Sequence, residues 1–257
     1  MKNILLILHW QINIPALLLA GMMGAAFYML TGFRNRKNTV LFITVISLLL
    51  LLVSSPLYYL GMHNYLSAHM VIHVLLLLVF GPLLVLSLGT TEHPSLHRLS
   101  RFCKQLIWVA WMFGVGVMWF WHIPALFNMN MSHQDSLLSF LQTGSLLLAG
   151  ILFSWPLLGP VKQYHAHALT GIVYLFTACV SCSLLGLLIT FAPVGTYHHL
   201  QMSGPGEANP WHLTDIQDSR AAGLIMWVPC CFVYLSGCLW LLYRWFAETS
   251  IIKLNNA

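Results

Sequence analysis

Two histidines stand four residues apart in Ser67-Ala68-His69-Met70-Val71-Ile72-His73. On a helix that spacing puts both imidazoles on one face, a turn apart, where two ring nitrogens can serve one metal ion. The competing use of such a pair is as neutral imidazoles hydrogen-bonding between helices. A third histidine ends Trp119-Phe120-Trp121-His122-Ile123-Pro124, and Met129, Met131 and His133 follow at alternating positions. Thioether sulfurs favour Cu(I), although methionine also fills gaps in apolar surfaces. Asp218, in Asp218-Ser219-Arg220-Ala221-Ala222-Gly223, can cap its own helix, ligate a metal or orient an imidazole, and Asp215 competes for each part.

The remaining reactive residues point to less. Cys179 and Cys182 form a C-x-x-C, and Cys230, Cys231 and Cys238 follow later, all in apolar stretches where a thiol is a small inert hydrophobe. No nucleophile elbow, phosphate-binding glycine loop, paired intramembrane carboxylate or H-E-x-x-H is present, so the expectation is that the chain is not an enzyme. No acidic residue lies in the middle of an apolar stretch, which gives little support to proton- or sodium-coupled transport.

The elements that must position these residues are set by composition. Of 257 residues, 59% are hydrophobic and 7% charged, with a mean hydropathy of +0.79, which excludes a soluble globular domain and a disordered chain alike. No Asp, Glu, Lys or Arg occurs from Asn3 to Phe33, Asn38 to Thr91, Gln105 to Gln134, Ser136 to Val161, Gln163 to Gly206 or Ala221 to Tyr243. A crossing needs roughly 20 apolar residues, so each gap holds one helix and the second holds two, with Gly61-Met62-His63-Asn64 as the turn between them. The expected fold is therefore all-α: a single seven-transmembrane-helix bundle with spans near 8–30, 39–60, 65–88, 105–122, 136–155, 168–191 and 221–245.

Nine of the eleven basic residues, Arg34, Arg36, Lys37, Arg98, Arg101, Lys104, Lys162, Arg244 and Lys253, fall on one side of that arrangement, against Lys2 and Arg220 on the other. The positive-inside rule then puts the N-terminus outside and the C-terminus in the cytoplasm. The formal charge of +5 is mainly a topology signal, and a basic soluble face for nucleic acid is lacking. On this topology His69 and His73 lie roughly 7 and 13 Å inside the outer end of the third span, where ionisable residues face the bundle interior and are functional candidates. His122 lies at the outer rim of the fourth, in a tryptophan belt that Pro124 terminates.

Taken in order, the stretch from Ser67 to His73, Gly81-Pro82-Leu83-Leu84-Val85-Leu86, Trp121-His122-Ile123-Pro124-Ala125-Leu126-Phe127, Gly150 to Leu158, and Asp218 through Ala222-Gly223-Leu224-Ile225-Met226-Trp227-Val228-Pro229 resembles the signatures of the multi-pass CtaG family. The resemblance covers residues 60 to 235. It implies a bacterial cytochrome c oxidase assembly factor in the plasma (inner) membrane, working with the oxidase subunits and handling copper. By position it assigns the family's paired histidines to His69 and His73, its tryptophan-flanked histidine to His122 and its acidic residue to Asp218. Two positions depart from the family: Gln142 stands where a fifth-span histidine is usual, and Asp218-Ser219-Arg220 where Asp-Gln-Gln is usual.

The combined expectation is a copper site at the outer face, built from His69, His73 and His122 and completed by Asp218 or His133, which could exchange ions with a soluble copper carrier. Imidazoles suit zinc equally. A b-type haem held by His122 and one of the paired histidines is a rival, as is a metal-free scaffold. A metal permease is a further rival.

Overall fold

The computed structural model describes residues 10–11, 13–91, 93–133, 136–193, 195–197, 211 and 213–255; the side chains of 130–133, 136 and 248–255 lie outside that description. Among the described residues the only regular secondary structure is helical. The helices are α1 (Ile14–Thr31), α2 (Arg36–Ser54), α3 (Pro56–His63), α4 (Leu66–Ser87), α5 (Pro94–Gln105), α6 (Ile107–Trp121), α7 (Pro124–His133), α8 (Ser136–Leu158), α9 (Ala168–Thr190) and α10 (Asp215–Asn255). Six of them, α1, α2, α4, α8, α9 and α10, are long and apolar enough to cross a bilayer, and α5 with α6 makes a seventh crossing if the bent pair is one span. The chain is a multi-pass membrane protein. A bilayer demands this all-helical solution, because only a helix satisfies every backbone N–H and C=O within its own segment.

The expected spans shift where helix-terminating residues intervene. The second, expected over 39–60, ends at Ser54. Ser55 accepts a hydrogen bond from the Tyr58 amide and Pro56 opens a new helix at its first position, where the missing N–H costs nothing. Gly61, Met62 and His63 are consequently helical, and the chain reverses at Asn64 and Tyr65 instead of at the expected turn. The fourth, expected over 105–122, is the 15-residue α6, bent 85° from α5 at Leu106. The last helix starts at Asp215, one turn and more before the expected 221.

Helix α4 is the centre of the bundle. Some 67% of its span is buried inside the protein, against 6% for α1, whose apolar surface is left to lipid. It packs on α3, α8 and α10, while α9 and α10 run along each other. Halfway along α4, Leu76–Phe80 forms a π turn in which the Gly81 amide bonds to the Leu76 carbonyl. The wider turn falls just before Pro82, whose ring would collide with the carbonyl four residues earlier in a regular helix. Gly81 and Gly150 let α4 and α8 touch at this level: a Cβ on Gly150 would lie 2.8 Å from the Leu77 carbonyl oxygen.

The loops sort into two ends. At one, Lys104 Nζ donates to the Gln163 carbonyl at 3.1 Å, Arg101 to the Tyr164 hydroxyl at 3.3 Å, and Asn35, Asn38, Thr90 and Thr91 line a common cavity. The basic residues of three connections thus gather together. At the other end Trp211 stacks on Tyr65, with ring centroids 4.5 Å apart, and the Asn128 amide donates to the Thr196 carbonyl.

Candidate functional site

His69, His73 and His122 meet inside the bundle near the second of these ends, all 3% exposed or less. The i, i+4 register of α4 sets the His69 and His73 rings 4.2 Å apart, and the His73 ring meets His122 edge-on at 5.1 Å and 87°. His122 is the C-cap of α6. Its position is fixed by two neighbouring indoles: Trp121 Nε1 donates to Ser145 on α8 and Trp119 Nε1 to Ser181 on α9, both at 2.8 Å. Such bonds hold helices in register where no hydrophobic force between them is available.

The three imidazoles have different hydrogen-bonding states. His69 is satisfied on both nitrogens. Its Nδ1 lies 3.1 Å from the Gly61 carbonyl oxygen, which can only accept, so the proton sits on Nδ1, and Nε2 accepts from the Gln142 amide at 3.3 Å. His73 makes no such bond, and its Nδ1 is buried without a partner. In His122, Nδ1 donates to the Met118 carbonyl at 2.6 Å, leaving the Nε2 lone pair bare, and 3.1 Å away it faces the sulfur of Met70.

Gln142 and Met70 are as deeply buried as the histidines, at 1% and 0% exposure. Met70 follows His69 directly, yet the sequence offers no reason to separate it from the gap-filling methionines of a core. Its one signal is position, a turn before His73 on the same helix.

Asp218 caps a helix, but not its own. Its carboxylate accepts from the amides of Leu66 at 2.7 Å and Ser67 at 3.1 Å and from the Ser67 hydroxyl, so the start of α10 closes the start of α4. Tyr65, the residue before α4, supplies no side-chain cap of its own. Three donors converging on a buried carboxylate at a helix N-terminus offset the cost of burying it.

The other candidates are spread out. Met129 is 45% exposed on α7; the side chains of Met131 and His133 lie outside the described residues, as do His9, His198, His199 and His212. The His63 ring stacks on Tyr59 and Nδ1 donates to the Tyr59 carbonyl. All six cysteines are free, with Cys179 and Cys231 in thiol contact at 3.4 Å across the α9–α10 interface. Among the described residues no three His, Cys, Asp or Glu side chains surround a common point suited to an ion.

A cavity of about 300 Å3, lined by Leu66, Thr190, Tyr197, Asp215, Asp218 and Arg220, opens beside the Asp218 cap. From it Tyr197 packs edge-on against Phe127 at 5.1 Å, and Phe127 against His69 at 5.3 Å. Burial raises the Tyr197 phenol above its ordinary pKa and keeps it a neutral donor to the His122 carbonyl at 3.3 Å.

Comparison with known proteins adds one relationship. The family model described as cytochrome c oxidase caa3 assembly factor matches residues 25–248. No curated protein and no solved structure matches.

Proposed function

Because the chain belongs to the cytochrome c oxidase caa3 assembly factor family, we propose that it serves oxidase maturation in the bacterial plasma membrane by taking up copper in the bundle and passing it on at the outer face. The observation that supports this most is the buried pair of bare imidazole nitrogens. His73 Nδ1 has no partner, and His122 Nε2 has no proton to give and meets only a sulfur. Leaving a buried polar atom unpaired costs about 1–3 kcal/mol, which a bound ion would offset.

In this reading His73 and His122 hold the ion. His69 joins when its bond to Gln142 breaks, and His133 remains a further candidate. Asp218 keeps α4 in place through its N-terminal amides instead of ligating. Oxidase subunits and a soluble copper carrier are the partners that would dock at the end marked by the Asp218 cavity. The rings of His73 and His122 stand in edge contact at 5.1 Å, too close for a porphyrin to lie between them, which argues against a haem held by that pair.

Copper content of the full chain purified in detergent after anaerobic Cu(I) loading tests the proposal. Near-stoichiometric metal in the wild type, lost in His73→Ala/His122→Ala with helicity retained, is the expected result. Wild-type protein without copper, or a double variant that keeps it, would overturn the reading.

A further inference from the structure

The contact between His122 and Met70 has no hydrogen to hold it. The Met118 carbonyl accepts from Nδ1 at 2.6 Å and so fixes the tautomer, since a neutral imidazole carries one proton. Nε2 then presents a lone pair to a thioether sulfur 3.1 Å away, and that sulfur has no proton to offer. Two electron-pair donors pointed at each other at this distance gain nothing from one another. What they can share is a cation, and His73, packed against His122, adds a third donor with an orphaned nitrogen.

We infer that Met70 is a metal ligand and that it makes the site selective for cuprous copper: Met70 Sδ, His122 Nε2 and His73 form a soft, neutral donor set. This rests on the copper-handling reading above and names the oxidation state and a ligand that the histidines alone leave open.

Three arguments converge on Cu(I). A thioether is a soft ligand that selects Cu(I), whereas Zn(II) takes imidazole, thiolate and carboxylate, usually four of them. The donors carry no negative charge, and the carboxylate of Asp218 is turned to the α4 amides. A buried monovalent ion costs roughly a quarter of the desolvation energy of a divalent one, because the Born energy grows with the square of the charge. Finally, Met70 and His73 lie on one helix and His122 comes from the end of α6, so three donors are at hand while His69 is held by the Gly61 carbonyl and the Gln142 amide. Cu(I) accepts three-coordination readily and Zn(II) does not.

The binding step balances simply. Cu(I) arrives from its carrier, two imidazole nitrogens and one sulfur donate electron pairs, no proton is released from His122, and no electron is transferred.

The test is copper X-ray absorption on the full chain loaded with Cu(I), prepared both with ordinary methionine and with selenomethionine. The expected spectrum shows a cuprous edge with one sulfur scatterer, replaced by selenium in the labelled protein and absent in Met70→Leu, a swap that conserves volume and should fold. Met70→Leu should also weaken Cu(I), measured by competition with a cuprous chelator, by at least the tenfold or so that losing even a supporting partner costs a metal site. Copper bound through nitrogen alone, with the same affinity in Met70→Leu, would overturn this inference while leaving the histidine site standing. Absence of copper from the wild type would overturn both, and the labelled wild-type spectrum decides the matter even if the variant misfolds.

Discussion

Asp218 and Leu66, 152 residues apart in sequence, are joined by a 2.7 Å hydrogen bond from the Leu66 amide to the Asp218 carboxylate. Through it the last helix holds the first turn of the helix that carries His69, Met70 and His73. The Ser67 amide and hydroxyl share the same carboxylate, so three donors depend on one residue. Asp218→Ala should lower the unfolding free energy by about 1–3 kcal/mol, the usual result of stranding buried donors. Asp218→Asn keeps one acceptor and loses the charge that complements the helix dipole, so its effect should fall between. Thermal unfolding in detergent measures this, and identical midpoints for wild type and Asp218→Ala would dismiss the cap.

Gln142 holds His69 in the state the structure shows. With Nδ1 committed to Gly61, His69 Nε2 has the Gln142 amide as its donor at 3.3 Å. Gln142→Leu should therefore cost about 1–3 kcal/mol in metal-free protein. If the freed nitrogen then binds the ion, saturating Cu(I) should restore part of that loss, since a ligand that binds only the folded state stabilises it. Melting curves with and without Cu(I) report both effects; a midpoint unchanged by the substitution would show that the amide is not satisfying His69.

Much of this architecture is legible in the sequence because charge is so costly in hydrocarbon: the uncharged gaps locate the spans, and the i, i+4 spacing singles out His69 and His73 as a pair on one helix face. The Ser55-Pro56 break is also readable, since a capping serine followed by proline is a helix start, but the continuous apolar run around it outweighs the signal. Three features are not legible. Asp218 looks like the cap of its own helix, and nothing local indicates that Leu66 and Ser67 would use it. Gln142 reads as a missing histidine, whereas the fold makes it the partner of one. Met70 gains its meaning from His122, 52 residues away, because only packing brings the sulfur to the imidazole.

The α4–α8 contact sets the floor on which the site rests, and it depends on missing side chains. A Cβ at Gly150 would meet the Leu77 oxygen at 2.8 Å, the Leu76 oxygen at 3.0 Å and the Leu77 Cα at 3.1 Å, all backbone that cannot step aside. Gly150→Ala should cost about 1–3 kcal/mol as the helices are pushed apart. Gly144, on the same helix, has nothing within 4 Å of its would-be Cβ, so Gly144→Ala should instead stabilise by up to about 1 kcal/mol through helix propensity. Opposite shifts of the unfolding midpoint are the expected pattern, and a harmless Gly150→Ala would mean that the two helices do not approach this closely.

Orientation follows from where the bundle gathers its charge. Lys104 reaches the Gln163 carbonyl, Arg101 reaches Tyr164, and the Arg34–Lys37 turn adjoins the start of α5, so seven Lys and Arg from three connections share one end. The positive-inside rule predicts that this end is cytoplasmic, in which case the histidine cluster and the Asp218 cavity face outward, where oxidase copper is inserted on the proposed reading. Single cysteines on exposed positions test it, because the native thiols are buried or half-buried. Pro193→Cys, beside the cavity, should react with a membrane-impermeant maleimide in intact cells, and Gln163→Cys, between α8 and α9, only after the membrane is opened. The reverse pattern would turn the molecule over and make the histidine end cytoplasmic, which would require any ion to be collected inside the cell and would remove the outer docking of a carrier from the proposal.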